Sequence, residues 1–207
     1  MGLNVSGKEG GNYTPAPAGN HLGICIQVLD LGTQNGGQYG PKRKVRLTWE
    51  LPEERLSYTD KDGNPKEGPY LVSKKYNLTL GSKEKPSALR TDLESWRGKA
   101  FTAEEERSFD LANLLGVAAL VSVVQETGTN GNLYANVKSV ARLPKGMGPP
   151  TPENDLYFFS FDDWDGTTTP KVSPKLLELM QATPEWRQLA AGGNHSGAPD
   201  NEPDIPF

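Results

Sequence analysis

Lysine, arginine and tyrosine side chains are concentrated in two short stretches of this chain. The first stretch is KRKVR at 42–46, and the second is SKKY at 73–76. Cationic side chains along a strand can neutralise a row of phosphates, and exposed aromatic rings beside them can stack on bases. The candidate residues for this chemistry are Tyr39, Lys42, Arg43, Lys44, Arg46, Tyr70, Lys74, Lys75, Tyr76, Tyr134 and Lys138. The simpler alternative is a solvated edge strand, since lysines often protect sheet edges from aggregation.

Other kinds of chemistry have little support in the residues. Cys25 is the only cysteine and lies in the apolar run LGICIQVLDL, where a buried and inert thiol is expected. His21 and His195 are far apart in sequence, and no thiols or carboxylates accompany them at metal-ligand spacing. The sequence contains no phosphate-binding glycine loop and no nucleophile motif. We therefore predict a protein without enzymatic activity, metal or cofactor.

The charge of the chain is divided unevenly between its two ends. Residues 1–148 contain 19 lysines and arginines against 16 aspartates and glutamates, whereas residues 149–207 contain 3 against 10. The two parts therefore carry net charges of +3 and −7, which together give the formal −4 of the whole chain. A basic body with an acidic tail recurs in proteins that handle polyanions. An acidic tail can also serve solubility alone.

Apolar periodicity predicts that the basic stretches lie on strands of a mainly β fold. Strands are predicted over 21–32, 42–51, 70–80, 117–127 and 133–143. In the second strand Val45, Leu47 and Trp49 alternate with polar residues, so Trp49 is predicted to face the core. The same alternation leaves Tyr76 open between the core and an outer groove.

A helical insert separates the third and fourth predicted strands. Ser87 is a suitable N-cap and Gly98 a suitable stop for its first helix, and a second helix is predicted over 104–116. Three strands, a helical insert and two strands, with a long exposed loop at 52–69, predict a five-stranded OB barrel. An SH3-like barrel also has five strands but does not explain the insert. OB barrels bind oligonucleotides or oligosaccharides on the face of strands two and three, and the cations favour the former.

Composition divides the chain into four segments. Residues 1–19 are predicted as a flexible arm, and 20–145 as the barrel. Residues 146–190 form a linker and an extension, whose aromatic stretch DLYFFSFDDWDG is predicted to be an extra strand or a lid over the barrel. The extension continues into a helix over 173–190 with a kink at Pro184, and 191–207 are predicted as a disordered acidic tail.

The last eight residues, DNEPDIPF, resemble the acidic tip of bacterial single-stranded-DNA-binding proteins, which ends in Ile-Pro-Phe. The resemblance implies that Asp204, Ile205, Pro206 and Phe207 bind partner proteins of DNA replication, recombination and repair. The terminal carboxylate can pair with a basic residue of the partner protein while the ring of Phe207 enters an apolar pocket, and this arrangement suits such docking.

The segments YGPKRKVRLTWELP, LRTDLESWRGKAFT and FDLANLLGVAALVSVV resemble single-stranded-DNA-binding proteins of tailed bacteriophages, which have an OB fold. This resemblance implies a function in phage DNA replication or recombination, in the cytoplasm of a bacterial host. The single cysteine fits a reducing compartment, and no signal peptide or membrane span is predicted. Two alternatives remain open: an OB-fold adaptor that recruits a host replication or repair enzyme without binding DNA, and a protein that binds RNA.

Overall fold

A computed structural model describes residues 14–59 and 63–192 of the chain. Strands dominate over helices in this part of the chain, so the fold is mainly β. Its elements are β1 (Gly19–Gln34), β2 (Lys42–Thr59), β3 (Pro65–Asn77), α1 (Ala88–Arg97), α2 (Glu105–Ser108), β4 (Ala118–Thr127), β5 (Leu133–Ala141), β6 (Tyr157–Phe159), α3 (Pro174–Gln181) and α4 (Pro184–Gly192). The five predicted strands and the helical insert after the third are confirmed.

The five long strands form one antiparallel sheet in the order β3-β2-β1-β4-β5. The long central strand β1 pairs with β4 through its first residues and with β2 through the remainder. The short strand β6 pairs with β1 in parallel. Although β3 and β5 stand at opposite ends of this order, the Nζ atom of Lys74 donates a hydrogen bond to the carbonyl of Lys138 at 2.9 Å. The sheet is therefore strongly curled.

The main core lies inside the curl of the sheet. Val45, Leu47 and Trp49 of β2 are buried there, as their alternation predicts. The ring of Trp49 lies 5.7 Å from that of Trp96, which α1 contributes together with its other apolar residues. Ser87 accepts a hydrogen bond from the first turn of α1, and Gly98 ends the helix in the left-handed conformation, so both predicted ends are confirmed. Cys25 is fully buried, and burial raises the pKa of its thiol to about 12.

A second core lies on the opposite face of β1 and includes the C-terminal extension. Leu29 and Leu31 of β1 are fully buried there against Phe159, Phe161 and Met180. The predicted extra strand of the extension is thus present as β6. The predicted break at Pro184 is also confirmed, since Pro184 begins α4 as a helix separate from α3.

The linker before β6 is fixed to the outer face of β2. The buried carboxylate of Glu50 accepts hydrogen bonds from the backbone of Glu153 at 2.7 Å and of Asn154 at 3.0 Å. The side-chain amide of Asn154 donates to the same carboxylate at 2.6 Å. These bonds satisfy a carboxylate that would be costly to bury alone.

Three sequence predictions about local structure are wrong. Residues 52–69 are largely a two-stranded ribbon, because β2 extends to Thr59 and β3 begins at Pro65. Most of the ribbon is exposed, so burial imposes no apolar alternation on its sequence. The helix predicted over 104–116 is divided, since the side chain of Asp110 accepts from Ala112 N at 2.8 Å and begins a separate 3₁₀ turn.

The third wrong prediction concerns the end of the N-terminal arm. Residues 14–18 pack against the sheet, with Ala16 buried and its carbonyl accepting a hydrogen bond from Gln125 Nε2 at 2.9 Å. The remainder of the predicted arm and the tail after Gly192 lie outside the described residues. In the part of the chain that the structure describes, the helices are too short or too polar to cross a membrane.

Candidate nucleic-acid interface

The outer face of β2 and β3 presents a row of cations. Because side chains alternate across a strand, the residues between the buried Val45, Leu47 and Trp49 point outward. Arg46 of β2 is one of these outward residues, and Lys44, two positions before it, shares its face. Lys75 of β3 is the cross-strand neighbour of Arg46. The antiparallel register thus brings together cations that are almost 30 residues apart in sequence.

Neutral groups, not carboxylates, hold Arg46 in place. Its guanidinium donates to Ser73 Oγ at 2.7 Å and to Gln27 Oε1 at 3.4 Å. Thr48 Oγ1 lies 3.2 Å from the same Gln27 oxygen and 3.1 Å from Ser73 Oγ, so it completes a small polar network. Burial lowers the pKa of Arg46. The network fixes the side chain without neutralising its charge.

A fourth cation comes from the C-terminal extension. Burial, followed by the charges of Arg46, Lys44 and Lys175, lowers the pKa of Lys75. Lys175 belongs to α3, so the packing of the extension on β1 brings this lysine near enough to Lys75 for its charge to affect the pKa of Lys75. We refer to Lys44, Arg46, Lys75 and Lys175 as the cation cluster. Among the described residues no carboxylate forms an ion pair with any of its members.

Two exposed tyrosines lie on the β1–β2 loop and at the start of β5. Tyr39, on the loop that joins β1 and β2, has 73% of its surface exposed, and Lys42 Nζ lies 5.5 Å from its ring centre. Tyr134 follows the turn between β4 and β5, and its hydroxyl accepts from Asn130 Nδ2 at 2.7 Å. Hydrogen bonds from Asn130 and Asn132, with a smaller effect of Lys175, lower the pKa of Tyr134. Lys175 is therefore close to both Tyr134 and Lys75.

Three of the predicted binding residues belong to the core side of the sheet. Tyr76 is buried, and its hydroxyl donates to Asp92 at 2.8 Å, so it is not available to stack on a base. Lys74 Nζ donates to the same carboxylate at 2.6 Å. Tyr70 is half-buried against the main core. These residues occupy inward positions of β3, opposite the buried apolar residues of β2.

Arg43 is also misassigned by the sequence prediction. Its guanidinium forms a double hydrogen bond with the buried carboxylate of Asp30 across the β1–β2 pair. It also contacts Asp162 of the extension at 2.9 Å. These hydrogen bonds, chiefly those to Asp30, raise the pKa of Arg43. A cation with two carboxylate partners has no free charge for a phosphate, so the role of Arg43 is structural.

The remaining predicted residues have mixed outcomes. Lys42 and Lys138 are exposed, and their roles in binding stay predictions. Asp204, Ile205, Pro206 and Phe207 lie outside the described residues.

The sequence prediction missed three residues near these cations, which are Lys175, Gln27 and Ser73. Nothing in the pattern around Pro174 indicates where α3 packs, and so Lys175 was missed. Within the described ranges, no group of three histidines, cysteines or carboxylates is placed to hold a metal ion.

The chain matches no protein-family model, and no curated protein matches it either. Inferences about its function therefore rest on the cation cluster, on the two exposed tyrosines and on the arrangement of the strands.

Proposed function

We propose that this chain binds single-stranded DNA, without sequence preference and without catalysis, on the outer face of β2 and β3. The observation that carries the proposal is the cation cluster. Like charges held together repel one another, and Arg46 is half-buried without a carboxylate partner in the part of the chain that the structure describes. Such an arrangement is costly in the free protein and is offset when a polyanion binds. A strand of phosphates is the polyanion that a row of cations suits best.

The arrangement of the strands supports an OB barrel for this function. In an OB fold five strands form a partly open barrel, with ligands on the face of strands two and three and on the loops 1–2 and 4–5. Here Lys44, Arg46 and Lys75 belong to strands two and three, Tyr39 lies on the loop between strands one and two, and Tyr134 is the second residue of strand five, directly after the 4–5 loop. The approach of β3 to β5, and the position of α1 between β3 and β4, fit the same barrel.

Single strands suit this surface better than duplexes do. The exposed rings of Tyr39 and Tyr134 can stack on bases only where the bases are unpaired, and stacking is tolerant of sequence because each base has a flat face. Lysine ammonium groups contact phosphates and carry no sequence information. Sequence-tolerant binding with a strong dependence on salt follows from these two properties.

The cellular setting and the partner are proposed from the resemblance alone. Protection of single-stranded DNA during phage replication, recombination or repair, in the bacterial cytoplasm, is the role that the resembling families share. The tip Asp204-Ile205-Pro206-Phe207 is proposed to recruit partner proteins of these processes.

The decisive test measures how the affinity for a labelled dT oligomer of about 30 nucleotides depends on salt. Lys44→Ala, Arg46→Met and Lys75→Ala are combined in one variant, in which methionine keeps the buried stem of Arg46. We expect the slope of log K against log salt to fall by about 0.7 for each lost phosphate contact, or roughly 2 in all. Lys83→Ala, which removes an exposed cation beside α1, should leave the slope close to that of the unaltered chain.

Each outcome of this test decides something. An unchanged slope in the triple variant would remove the outer face of β2 and β3 from the binding site. If the unaltered chain bound no oligomer even at low salt, the DNA-binding proposal would be overturned, and the adaptor function of the tip would replace it. Unlabelled duplex and unlabelled single strand are also added as competitors. If both displaced the labelled dT oligomer equally well, the single-strand preference would be contradicted.

A further inference from the structure

The loop at 35–41, which carries Tyr39, is internally compact. The backbone forms a 3₁₀ turn over Gly37–Tyr39, and Gly40 N donates to the Gly37 carbonyl at 3.1 Å. A Cβ atom on Gly36 would come within 1.9 Å of the Gly40 oxygen, so only glycine fits at this position. Tyr39 N also donates to the Gly36 carbonyl at 3.2 Å, so the loop is a hydrogen-bonded turn. The orientation of its tyrosine therefore depends on how the two ends of the loop are held.

The C-terminal extension holds the β1 end of this loop. The carboxylate of Glu185, in the first turn of α4, accepts from Thr33 N at 2.9 Å and from Thr33 Oγ1 at 2.5 Å. Burial acts to raise the pKa of Glu185, but these hydrogen bonds outweigh burial and lower the pKa. Glu185 is therefore ionised at neutral pH, and both of its oxygens are used by Thr33.

The approach of α4 to β1 is close enough to exclude a side chain. Gly32 has a φ of +67°, and a Cβ atom there would meet both the Thr183 side chain at 2.9 Å and Glu185 Oε2 at 3.0 Å. Thr183 is buried, and its hydroxyl donates to the Met180 carbonyl at 2.6 Å. The start of α4 is thus fixed on the second core before it reaches the loop.

The extension also holds the β2 end of the loop. Asp162 contacts Arg43 at 2.9 Å, and the backbone N–H of Phe161 donates to Asp30 at 3.2 Å. Arg43 and Thr33 are themselves cross-strand neighbours at the last pairs before the loop. Both strands that enter the loop are therefore tied to residues 160–185 of the extension.

We propose that Glu185 is a positioning residue for oligonucleotide binding, which holds the base of the loop and thereby orients Tyr39 towards the bound strand. This inference rests on the proposed function and deepens it, since it makes the extension a part of the binding site. Without the tie the loop has to be ordered when the ligand binds, and that ordering reduces affinity.

The test compares Glu185→Gln with Glu178→Gln in the dT-oligomer assay. Glu178 is an exposed residue of α3 without a side-chain partner among the described residues, so its replacement measures the effect of removing one negative charge. Charge removal alone should strengthen binding to a polyanion. Loss of the tie should instead weaken binding by about 3- to 10-fold, a magnitude expected for the ordering of a few side chains. The two effects thus have opposite signs.

A double-mutant cycle identifies the route through Tyr39. In the Tyr39→Ala background we expect Glu185→Gln to weaken binding no further, because the ring that it orients is absent. An equal loss in both backgrounds would overturn the proposal and assign Glu185 a purely structural role. Thr33→Val, which removes the hydroxyl donor, should reproduce the loss, and Thr33→Ser should restore it.

The failure of this inference can be told apart from failure of the proposed function. If the unaltered chain binds the oligomer with the expected dependence on salt but Glu185→Gln matches Glu178→Gln, only the positioning role is lost. If Glu185→Gln unfolds the extension, the tryptophan fluorescence of the chain will change, because Trp164 and Trp186 pack against each other in that segment. The Thr33 variants then decide the question.

Discussion

At the scale of single residues, the neighbours Lys74 and Lys75 show how the sheet assigns opposite roles to identical side chains. Lys74 points inward and donates to Asp92 and to the carbonyl of Lys138. Lys75 points outward, beside Arg46, without a carboxylate partner among the described residues. The pleat of one strand therefore separates a structural lysine from a candidate binding lysine.

This separation predicts two different phenotypes. Lys74→Met should leave the carboxylate of Asp92 with Tyr76 as its remaining hydrogen-bond donor among the described residues, and lower the free energy of unfolding by about 1–3 kcal/mol. Lys75→Met should leave stability almost unchanged and lower the salt slope of DNA binding by about 0.7. Urea unfolding and the dT-oligomer titration measure the two quantities. Identical behaviour of the two variants in both assays would refute the assignment.

At the scale of elements, the short helix α2 depends on a reciprocal pair of hydrogen bonds. Thr102 N donates to Glu105 Oε2 at 3.0 Å, and Glu105 N donates to Thr102 Oγ1 at 3.2 Å, as in a capping box. Arg97 and Lys99 also contact this carboxylate. The backbone hydrogen bond from Thr102, followed by the contact with Lys99, lowers the pKa of Glu105 to about 2.

The lowered pKa predicts how this element responds to acid. Because the folded pKa lies below the ordinary value of 4.5, ionised Glu105 stabilises the fold above pH 4.5, and this contribution is lost as the pH falls towards 2. Glu105→Gln should therefore be less stable than the unaltered chain at pH 7 and equally stable near pH 2. Urea unfolding at both pH values measures the difference, and a difference independent of pH would contradict the assignment.

The sequence predicts elements well where burial imposes a pattern and poorly elsewhere. Val45, Leu47 and Trp49 alternate because one face of β2 is buried, so the strand is recognisable. The ribbon beyond Leu51 is mostly exposed, and its sequence therefore lacks that pattern. Asp30, which binds Arg43, lies on β1, and Asp92, which binds Lys74, lies on α1. No local pattern reveals such contacts. Lys175 enters the candidate site only through the packing of α3.

At the scale of the whole molecule, the acidic tail is proposed to oppose the basic face. The residues after Gly193 include three carboxylates and no lysine or arginine, so a chain that ends at Gly193 has a net charge of −1 instead of −4. We expect this shorter chain to bind the dT oligomer more tightly at low salt, with a gain that shrinks as salt screens the charges. Equal affinities at low salt would show that the tail does not compete with DNA.

The tie between Glu185 and Thr33 also has a consequence for the order of events during translation. It joins positions 152 residues apart, and Glu185 follows the end of β5 at Ala141 by 44 positions. At roughly 5–20 residues per second, the ribosome needs about 2–9 seconds to add this stretch. During that interval the residues of the five long strands have been synthesised, but Glu185 is not yet present to hold Thr33. We therefore expect the nascent chain to capture nucleic acid weakly while it is still next to messenger RNA, and to mature only once the extension is complete.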